Sequence, residues 1–436
     1  MMPLIHLGKN SLWLLLARIG TQGLAVLFTV LLARRLGSTG FGGYAFIAAL
    51  IFIGNALTTF GTDMLLIREI AARRDVARLP AALLIQLLLS GLFIAGVVWG
   101  APVLPNQTPA SILALQIYSL ALIPLAFYTV FTTTLRGWQR MGAYALLNLC
   151  VSLLQVLAAW LFTGGSQGLV VLAVLLLAVQ GIAALLAGTL VSVLIAGFWR
   201  GWRFSWQEFR DVVMASAPLG LLGLLGILYQ KLSLTLLSSL GGAALAGWFS
   251  AAQRAVEAAK TGHLAVFTAV YPAMAQAQAN SDGKTTWSMT LQLSWKLLIS
   301  AAALAALALS LFAAPLVQLL YGTEFAPAAA VLRILAWTLV PYTINTFLTL
   351  SFVAAQKERA VAWALTVSLL GLTAMSLWWI PAVGAIGAAW AVLVAECIQA
   401  GLLLAQRLGL RSLNTPAHPA GAGKDHEGYD GKASIF

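Results

Sequence analysis

The sequence is poor in cysteine and in charge, and each shortage excludes a class of protein. Only two cysteines occur in 436 residues. Cys150 and Cys397 both lie inside apolar runs, so they indicate neither a disulfide framework nor the close cluster of ligands that a metal site needs. Charged residues make up 9% of the chain and hydrophobic residues 61%. Ordinary soluble domains carry about 25% charged residues, so this composition excludes a soluble domain of this size.

Acidic residues are the scarcer of the charged types. The chain has 25 Lys and Arg against 13 Asp and Glu, for a formal net charge of +12. The basic residues lie mostly in short connections between apolar runs, which argues against nucleic acid as a partner. No Gly-rich nucleotide-binding loop is found either. We therefore expect no cofactor, and transport that is not driven by a bound nucleotide.

Long apolar runs dominate what is present. Twelve runs are long enough to cross a bilayer, and the first lacks the cleavage pattern of a removable signal peptide. They cover roughly 10–33, 42–63, 80–101, 110–134, 143–163, 168–198, 215–240, 243–270, 287–318, 327–354, 360–380 and 383–406. The sequence thus predicts an all-α integral membrane protein with about twelve transmembrane helices.

The predicted spans divide the chain into four segments. Residues 1–198 are predicted to form an N-terminal six-helix lobe and residues 212–408 a C-terminal six-helix lobe. Between them, residues 199–211 alternate aromatic and charged side chains, which is typical of a helix lying in the cytoplasmic interface. Residues 409–436 are rich in Gly, Pro, Ala and charge, and this composition predicts a disordered cytoplasmic tail.

An internal repeat relates the two predicted lobes. Residues 122–124 and 339–341 match at an offset of 217 and include Pro124 and Pro341, which are either hinges or static kinks. Near the start of each lobe, the offset is 204: Gly37, Gly43 and Tyr44 match Gly241, Gly247 and Trp248. Since six spans is an even number, both copies enter the membrane from the same side. This predicts a pseudo-two-fold axis along the membrane normal, with a pathway between the bundles.

Six basic residues fall inside predicted spans, where an unpaired charge is costly. They are Arg18, Lys231, Arg254, Lys260, Lys296 and Arg333. At about 1.5 Å per residue, Arg254 lies roughly 16 Å from Ala243, near the middle of a hydrocarbon layer about 30 Å thick. Arg18 either lines a cavity, which we favour, or extends to the interface, and for Lys296 and Arg333 we favour the interface.

The spacing of three places Arg254, Glu257 and Lys260 on one face of a helix. These side chains form either a structural ladder of ion pairs or a functional site. Two cations against one anion leave an excess of positive charge, which favours a site for an anionic ligand. Glu396, in the last predicted span, either titrates during transport or pairs with a neighbouring basic group.

Four segments carry a resemblance to a known family: residues 34–44 (RRLGSTGFGGY), 60–68, 241–254 and 320–325. In order and spacing along residues 8–408 they resemble the polysaccharide flippases of the multidrug/oligosaccharidyl-lipid/polysaccharide exporter superfamily. The resemblance implies a V-shaped, two-lobe transporter of the bacterial inner membrane and no enzyme activity. It also implies that the substrate is polyprenyl-diphosphate-linked oligosaccharide, moved to the outer leaflet for cell-surface polysaccharide assembly. The implied partners are this lipid-linked glycan, membrane lipid, and a polysaccharide polymerase and ligase.

The resemblance also implies which residues face the central cavity, through the first, second, seventh and eighth helices. The expected substrate-binding residues are Arg18, Gln22, Asn55, Lys231, Arg254 and Lys260, and the candidates for coupling or charge pairing are Asp63, Glu257 and Glu396. Within those four helices, four cations face two carboxylates, a local charge of about +2. One departure is that Lys231-Leu232-Ser233 lacks the acidic residue that often follows in the family, which puts ion coupling at that place in doubt.

Two other classes of function compete with the flippase. A multidrug cation exporter of the same superfamily needs buried carboxylates, and the spans hold few beyond Asp63, Glu257 and Glu396. A membrane glycosyltransferase or polymerase needs carboxylates or a substantial extracytoplasmic loop, whereas loops such as APVLPNQTPA are short and uncharged. An ion gradient, the membrane potential and the substrate gradient all remain open as energy sources.

The distribution of Lys and Arg predicts the orientation of the chain. With a cytoplasmic N-terminus, seventeen of them fall on the cytoplasmic side and only Arg34 and Arg35 on the other, which predicts that both termini are cytoplasmic. Reporter fusions after Gln107, Gly165 and Gly242 should therefore report the extracytoplasmic side. Fusions after Arg74, Arg140 and Lys284 should report the cytoplasm, and a cytoplasmic signal at Gly165 would contradict the twelve-span topology.

Overall fold

The computed structural model describes the backbone of residues 2–161, 168–279, 284–354 and 357–413, and the side chains of residues 19–161, 168–200, 202–261, 295–353 and 357–408. Within these ranges the chain is helical and contains no β-strand. The helices are α1 (Met2–Thr59), α2 (Thr62–Arg73), α3 (Leu79–Gly100), α4 (Pro109–Ser119), α5 (Leu122–Gly137), α6 (Met141–Leu161), α7 (Gly168–Leu194), α8 (Trp206–Gly241), α9 (Ala243–Ala279), α10 (Lys284–Leu311), α11 (Ala313–Tyr321), α12 (Ala328–Ala336), α13 (Leu339–Ala354) and α14 (Glu358–Leu413). We call α1–α7 the first half and α8–α14 the second half.

The helices have the length and composition of membrane spans. Among the described residues, 8 helices are long and apolar enough to cross a membrane, or 9 if α10 and α11, which are bent by 67°, form one span. Two of the longest are interrupted by a glycine with positive φ: Gly37 in α1 (φ 67°) and Gly384 in α14 (φ 61°). Glycine adopts this conformation without the clash of a Cβ. The all-α membrane fold is confirmed, and the number of twelve spans stays a prediction.

The repeat at an offset of 217 is visible in the helix boundaries. Helices α5 and α13 begin and end 217 residues apart, and each follows a two-residue break from the helix before it. Pro124 and Pro341 lack the N–H that would bond to the carbonyls of Leu120 and Trp337. The residue before each proline bonds there instead, at 3.1 and 3.3 Å. The prolines therefore accompany a bend that both halves share.

Near the start of each half the structural repeat has an offset of 205, so the predicted offset of 204 is wrong by one residue. Gly37 and Gly242 both have positive φ, 67° and 88°. Five residues after each stands another glycine, Gly42 or Gly247. The left-handed backbone at the start and the glycine one and a half turns later fix the register. The predicted alignment of Tyr44 with Trp248 followed the aromatic side chains, which the turn does not constrain.

Gly42 and Gly247 are the points at which α1 and α9 cross. A Cβ on Gly42 would lie 1.7 Å from the carbonyl oxygen of Ala243, and a Cβ on Gly247 would lie 2.1 Å from that of Ser38. Both distances are far below van der Waals contact, so only glycine allows the backbones to approach this closely. The same contact is made twice with the halves exchanged, as an approximate two-fold axis requires. We call the end of the molecule where Gly37 and Gly242 lie the glycine end.

Side chains join the two halves at the glycine end. The rings of Phe41 and Phe325 meet edge to face with their centroids 6.0 Å apart, inside a buried cluster that both halves build. Arg34 of the first half donates from Nε to the carbonyl of Leu320 at 2.8 Å, at the C-terminus of α11. A cation there satisfies helix-end carbonyls and complements the helix dipole. This long-range contact accounts for one of the two basic residues predicted on the extracytoplasmic side.

Glu324 forms a second polar link between the halves at this end. Its Oε1 accepts a hydrogen bond of 2.6 Å from the backbone N–H of Ser38. The hydrogen bonds from Ser38, the backbone one foremost, hold the pKa of the Glu324 carboxyl below its usual range. A depressed pKa means that the contact is fully stabilising above the unfolded pKa and is lost as the pH falls through the folded pKa.

The halves also meet at the opposite end, and again glycine allows the contact. Gly61 has a φ of 71°, and a Cβ on it would lie 2.3 Å from the backbone nitrogen of Gly220 in α8. A Cβ on Gly220 would lie 2.7 Å from the carbonyl oxygen of Phe60. The first and second halves are therefore in backbone contact at both ends, and the residues between these contacts define the space in which a substrate site can lie.

The prediction of a separate helix over residues 199–211 is wrong. Phe198–Gly201 forms a short 3-10 helix, residues 202–205 are not helical, and α8 begins at Trp206 and continues without interruption to Gly241. Ser205 has extended backbone angles, as an N-terminal helix boundary requires. The interfacial position of this connector stays a prediction.

The crossing of α1 and α9 predicts a contrast between two glycines of the same helix. Gly42→Ala should lower the melting temperature of the purified protein, because the new Cβ meets the Ala243 backbone. Gly23→Ala is the matched control, since a Cβ there meets nothing within 4 Å and alanine favours a helix by about 0.5 to 1 kcal/mol. Equal melting temperatures for the two variants would show that the close approach is not required.

Candidate functional site

Three charged side chains meet where α8 and α9 pack together. Nη1 of Arg254 lies 3.0 Å from Oε2 of Glu257, one turn further along α9. Nζ of Lys231, on α8, lies 3.5 Å from the other carboxylate oxygen, Oε1. Glu257 therefore bridges two cations that come from different helices. These three residues are named below as the Glu257 cluster.

Two contacts with α1 place the Glu257 cluster between the halves. Nε of Arg254 donates to Oγ1 of Thr29 at 3.0 Å, and Thr29 is 5% exposed. Nζ of Lys231 lies 5.2 Å from the ring centroid of Phe52, within the range of a cation–π contact. Since Thr29 and Phe52 belong to the first half, both cations are held at the junction of the two halves.

The side chains of the Glu257 cluster keep part of their surface accessible. The exposed fractions are 18% for Lys231, 29% for Arg254 and 32% for Glu257. A fully packed structural ion pair would have almost no accessible surface, and a surface pair would have much more. These groups thus line a space that an anionic or cationic ligand can enter, and mutual pairing compensates their charges while that space holds no ligand.

Lys260 belongs to a second ionic contact. Its Nζ lies 3.7 Å from Oε1 of Glu396 on α14 and 4.1 Å from the ring centroid of Tyr342. The Glu396 side chain is only 6% exposed and also accepts a hydrogen bond of 2.7 Å from Nδ2 of Asn345. Of the two interpretations of Glu396, the structure shows the pairing with a basic group. The ladder interpretation of α9 is wrong at this rung, because Lys260 pairs with another helix and not with Glu257.

The other predicted site residues lie apart from these contacts. Arg18 falls on α1 outside the residues whose side chains are described. Nε2 of Gln22 is buried and has no hydrogen-bond partner among the described residues, and Oδ1 of Asn55 accepts only a long bond of 3.5 Å from Thr59. Asp63, in the first turn of α2, pairs with no cation among the described side chains. Their role in a cavity stays a prediction.

Lys296 and Arg333 both have exposed side chains. An exposed cation within an apolar span lies on the outer surface of the helix bundle, from which its long side chain can extend toward the interface. Neither residue forms an ion pair with another residue of the described part of the chain. Their extension to the interface stays a prediction.

Several site residues were missed by sequence reasoning. Thr29, Phe52, Tyr342 and Asn345 enter through contacts between distant parts of the chain, and no local pattern marks them. Gln253, whose Nε2 donates to Oε1 of Glu257 at 3.2 Å, was detectable, because residues four apart on a helix are neighbours.

The structure lowers the predicted local charge. The sequence set four cations against Asp63 and Glu257, for about +2. Among the described side chains the two contacts combine three cations, Lys231, Arg254 and Lys260, with two carboxylates, Glu257 and Glu396, and three minus two leaves +1. The difference arises because Glu396 joins through α14 and Asp63 lies outside, while the side chain of Arg18 is not described.

Comparisons with known proteins agree with this architecture. Residues 7–278 match a family described as "Polysaccharide biosynthesis protein". No curated protein matches the chain by sequence. At identities of 15–16%, the solved structures below show the fold alone, and that fold is the one shared by transporters of the MOP superfamily.

Three solved structures illustrate the likeness. An inward-facing multidrug resistance MATE family transporter of the MOP superfamily is 15% identical, with 92% of this chain and 100% of that chain covered and a TM-score of 0.69. The lipid II flippase MurJ, in an inward closed conformation, is 15% identical, with 90% and 87% covered and a TM-score of 0.73. A MOP superfamily transporter from Pyrococcus furiosus, described by the reverse polarity of its binding pocket, is 16% identical, with 93% and 96% covered and a TM-score of 0.63.

The contact between Lys260 and Glu396 predicts a strong coupling in stability. Glu396→Leu should lower the melting temperature, because it leaves Lys260 and the Asn345 amide without their partner. Lys260→Met combined with Glu396→Leu should recover part of the loss, with a coupling energy of about 0.5 to 3 kcal/mol. Thermal unfolding of the two single variants and the double variant in lipid provides the measurement. Strictly additive losses would show that the two side chains do not interact.

Proposed function

The chain belongs to the polysaccharide biosynthesis protein family, and on that premise we propose that it flips polyprenyl-diphosphate-linked oligosaccharide from the cytoplasmic to the outer leaflet of the bacterial inner membrane. In this proposal the diphosphate and its glycan enter the space between the halves, while the polyprenyl tail stays in lipid. The fold likeness to MOP superfamily transporters, among them MurJ, supports a transport function.

The observation that carries the proposal is the position of Lys231 and Arg254. Both cations lie at the junction of the halves, are partly accessible, and point their charged groups at one shared anion, the Glu257 carboxylate. A diphosphate offers several anionic oxygens to such donors, and arginine recognises phosphate with parallel N–H groups that form charge-assisted bonds. The excess of one cation over the carboxylates favours an anionic headgroup over a cationic drug.

Alternating access follows from the contacts between the halves. At the glycine end, which the charge distribution predicts to be extracytoplasmic, the Gly42–Gly247 crossing, Arg34 and Glu324 hold the halves together. Release to the outer leaflet requires these contacts to separate. Because they involve helix ends and backbone atoms on opposite halves, they can break as a group when the halves rock against each other.

A second candidate function is export of organic cations. The carboxylates of Glu257 and Glu396 favour it, since both lie beside the space between the halves or behind it, and structures of multidrug transporters share the fold. Each of these carboxylates is already paired with at least one cation of the protein, however. An organic cation would have to displace Lys231, Arg254 or Lys260, and these are tethered side chains at high local concentration.

The first functional prediction concerns the two cations. Lys231→Ala and Arg254→Ala should each abolish or strongly reduce delivery of glycan to the cell surface, because a charged hydrogen bond contributes about 1.5 to 3 kcal/mol and its loss weakens binding roughly ten- to a hundredfold. Lys296→Ala is the matched control, since it removes an exposed cation from another span. Normal flux from both cavity variants at wild-type expression would rule out the site.

The second functional prediction separates the two candidate functions. The purified protein in neutral lipid should bind polyprenyl diphosphate, with an affinity that falls as the salt concentration rises, and should bind ethidium-like cations weakly. Saturable binding of organic cations without any response to the lipid diphosphate would favour the exporter.

The identity of the glycan can be found genetically. Deletion of the gene should cause a lipid-linked oligosaccharide to accumulate on the cytoplasmic face, and its sugars would define the substrate. A polysaccharide polymerase and ligase would then act on the flipped product, and we propose them as functional partners on this basis alone.

A further inference from the structure

Glu257 occupies the donor groups that the proposed diphosphate would need. We propose that its carboxylate is an internal anionic ligand, which holds the cation site while no substrate is bound and is displaced when the diphosphate enters. This inference rests on the proposed function and adds a residue that sets the affinity for every anionic headgroup. Glu257 would therefore not bind substrate itself but would compete with it.

The donors around Glu257 are those of an anion site. Oε2 accepts from Nη1 of Arg254 at 3.0 Å. Oε1 accepts from Nε2 of Gln253 at 3.2 Å and from Nζ of Lys231 at 3.5 Å. Two cations and one amide, from two helices, thus converge on the two oxygens of one anion. A phosphate group presents the same kind of oxygen acceptors to the same donors.

The two cations keep anchors that do not depend on Glu257. Nε of Arg254 is bonded to Thr29, whose hydroxyl in turn donates to the carbonyl of Ala25 at 2.8 Å, so the guanidinium is oriented from α1. The ammonium of Lys231 lies over the ring of Phe52. When the carboxylate leaves, both cations therefore remain in place for a ligand. A site that collapsed without its internal anion would lack such anchors.

The Glu257 contact also has the properties of a displaceable one. Its 3.5 Å distance to Lys231 exceeds the 2.7 to 2.9 Å that is usual for a strong charge-assisted hydrogen bond. The side chain is 32% exposed, whereas that of Glu396, held by Asn345 and Lys260, is 6% exposed. Of the two carboxylates, Glu257 is the one with space to turn away, and Glu396 is the one fixed in position.

Displacement has a consequence for selectivity and release. Every anionic headgroup must overcome the same competition, so a monophosphate, with less charge, binds too weakly to be carried, while a diphosphate still binds. After transport, the returning carboxylate reclaims Lys231 and Arg254 and promotes release of the product. Removal of the negative charge should therefore tighten binding and slow transport, two effects that loss of a supporting residue would not combine.

The test compares the wild type with Glu257→Gln, which keeps the shape and an acceptor oxygen but removes the charge. Affinity would be measured in nanodiscs of neutral lipid with polyprenyl diphosphate and polyprenyl monophosphate as probes, together with flux in proteoliposomes. We expect Glu257→Gln to bind both probes roughly tenfold more tightly, to bring the monophosphate into the measurable range, and to transport the diphosphate more slowly. Glu358→Gln, an exposed carboxylate at the start of α14, is the matched control and should match the wild type.

Each outcome decides the inference. Unchanged or weaker binding of both probes by Glu257→Gln, with the wild type binding the diphosphate, would overturn the inference and leave the proposed function standing. If neither protein bound either probe, the proposed function and this inference would both be overturned. Glu257→Ala provides a second variant should the first fail to fold, and the same tightening is expected from it.

Discussion

The close crossing of α1 and α9 is the contact on which the candidate site depends. At Gly42 and Gly247 the two backbones approach so closely that any side chain would collide with a carbonyl oxygen of the other helix. This approach, made about 18 Å along α9 from Arg254 or less at ~1.5 Å per residue, brings Thr29 of one half within hydrogen-bond distance of Arg254 of the other. If larger residues separated the helices, the cations would lose their anchors in the first half.

The second constraint is the pairing of charges in an apolar chain. With 13 acidic residues in 436, each carboxylate beside the interior space has a defined partner: Glu257 holds Lys231 and Arg254, and Glu396 holds Lys260. Cations at this depth are costly unless paired or hydrated. The same pairs that make the folded protein possible thus determine which ligand can enter, since a ligand of either sign must replace a partner that the protein already supplies.

Much of the fold could be predicted because the membrane imposes simple rules. Apolar length indicated the spans, and the match at residues 122–124 and 339–341 gave the helix pair α5 and α13 its correct offset of 217. The offset of 205 at the glycine end was missed by one residue, because backbone conformation at Gly37 and Gly242 fixes it and side-chain similarity does not. The basic residues of the site could be named from their depth in the spans. Their partners could not, since Glu396, Asn345 and Thr29 reach them only through tertiary packing.

The account makes one central claim: that the cations between the halves hold a diphosphate headgroup. The most direct test is an electron cryomicroscopy structure of the protein in lipid with polyprenyl diphosphate bound. The account predicts phosphate oxygens at hydrogen-bond distance, about 3 Å, from Nζ of Lys231 and from the guanidinium of Arg254. A diphosphate bound elsewhere, with Lys231 and Arg254 still occupied only by groups of the protein, would contradict it.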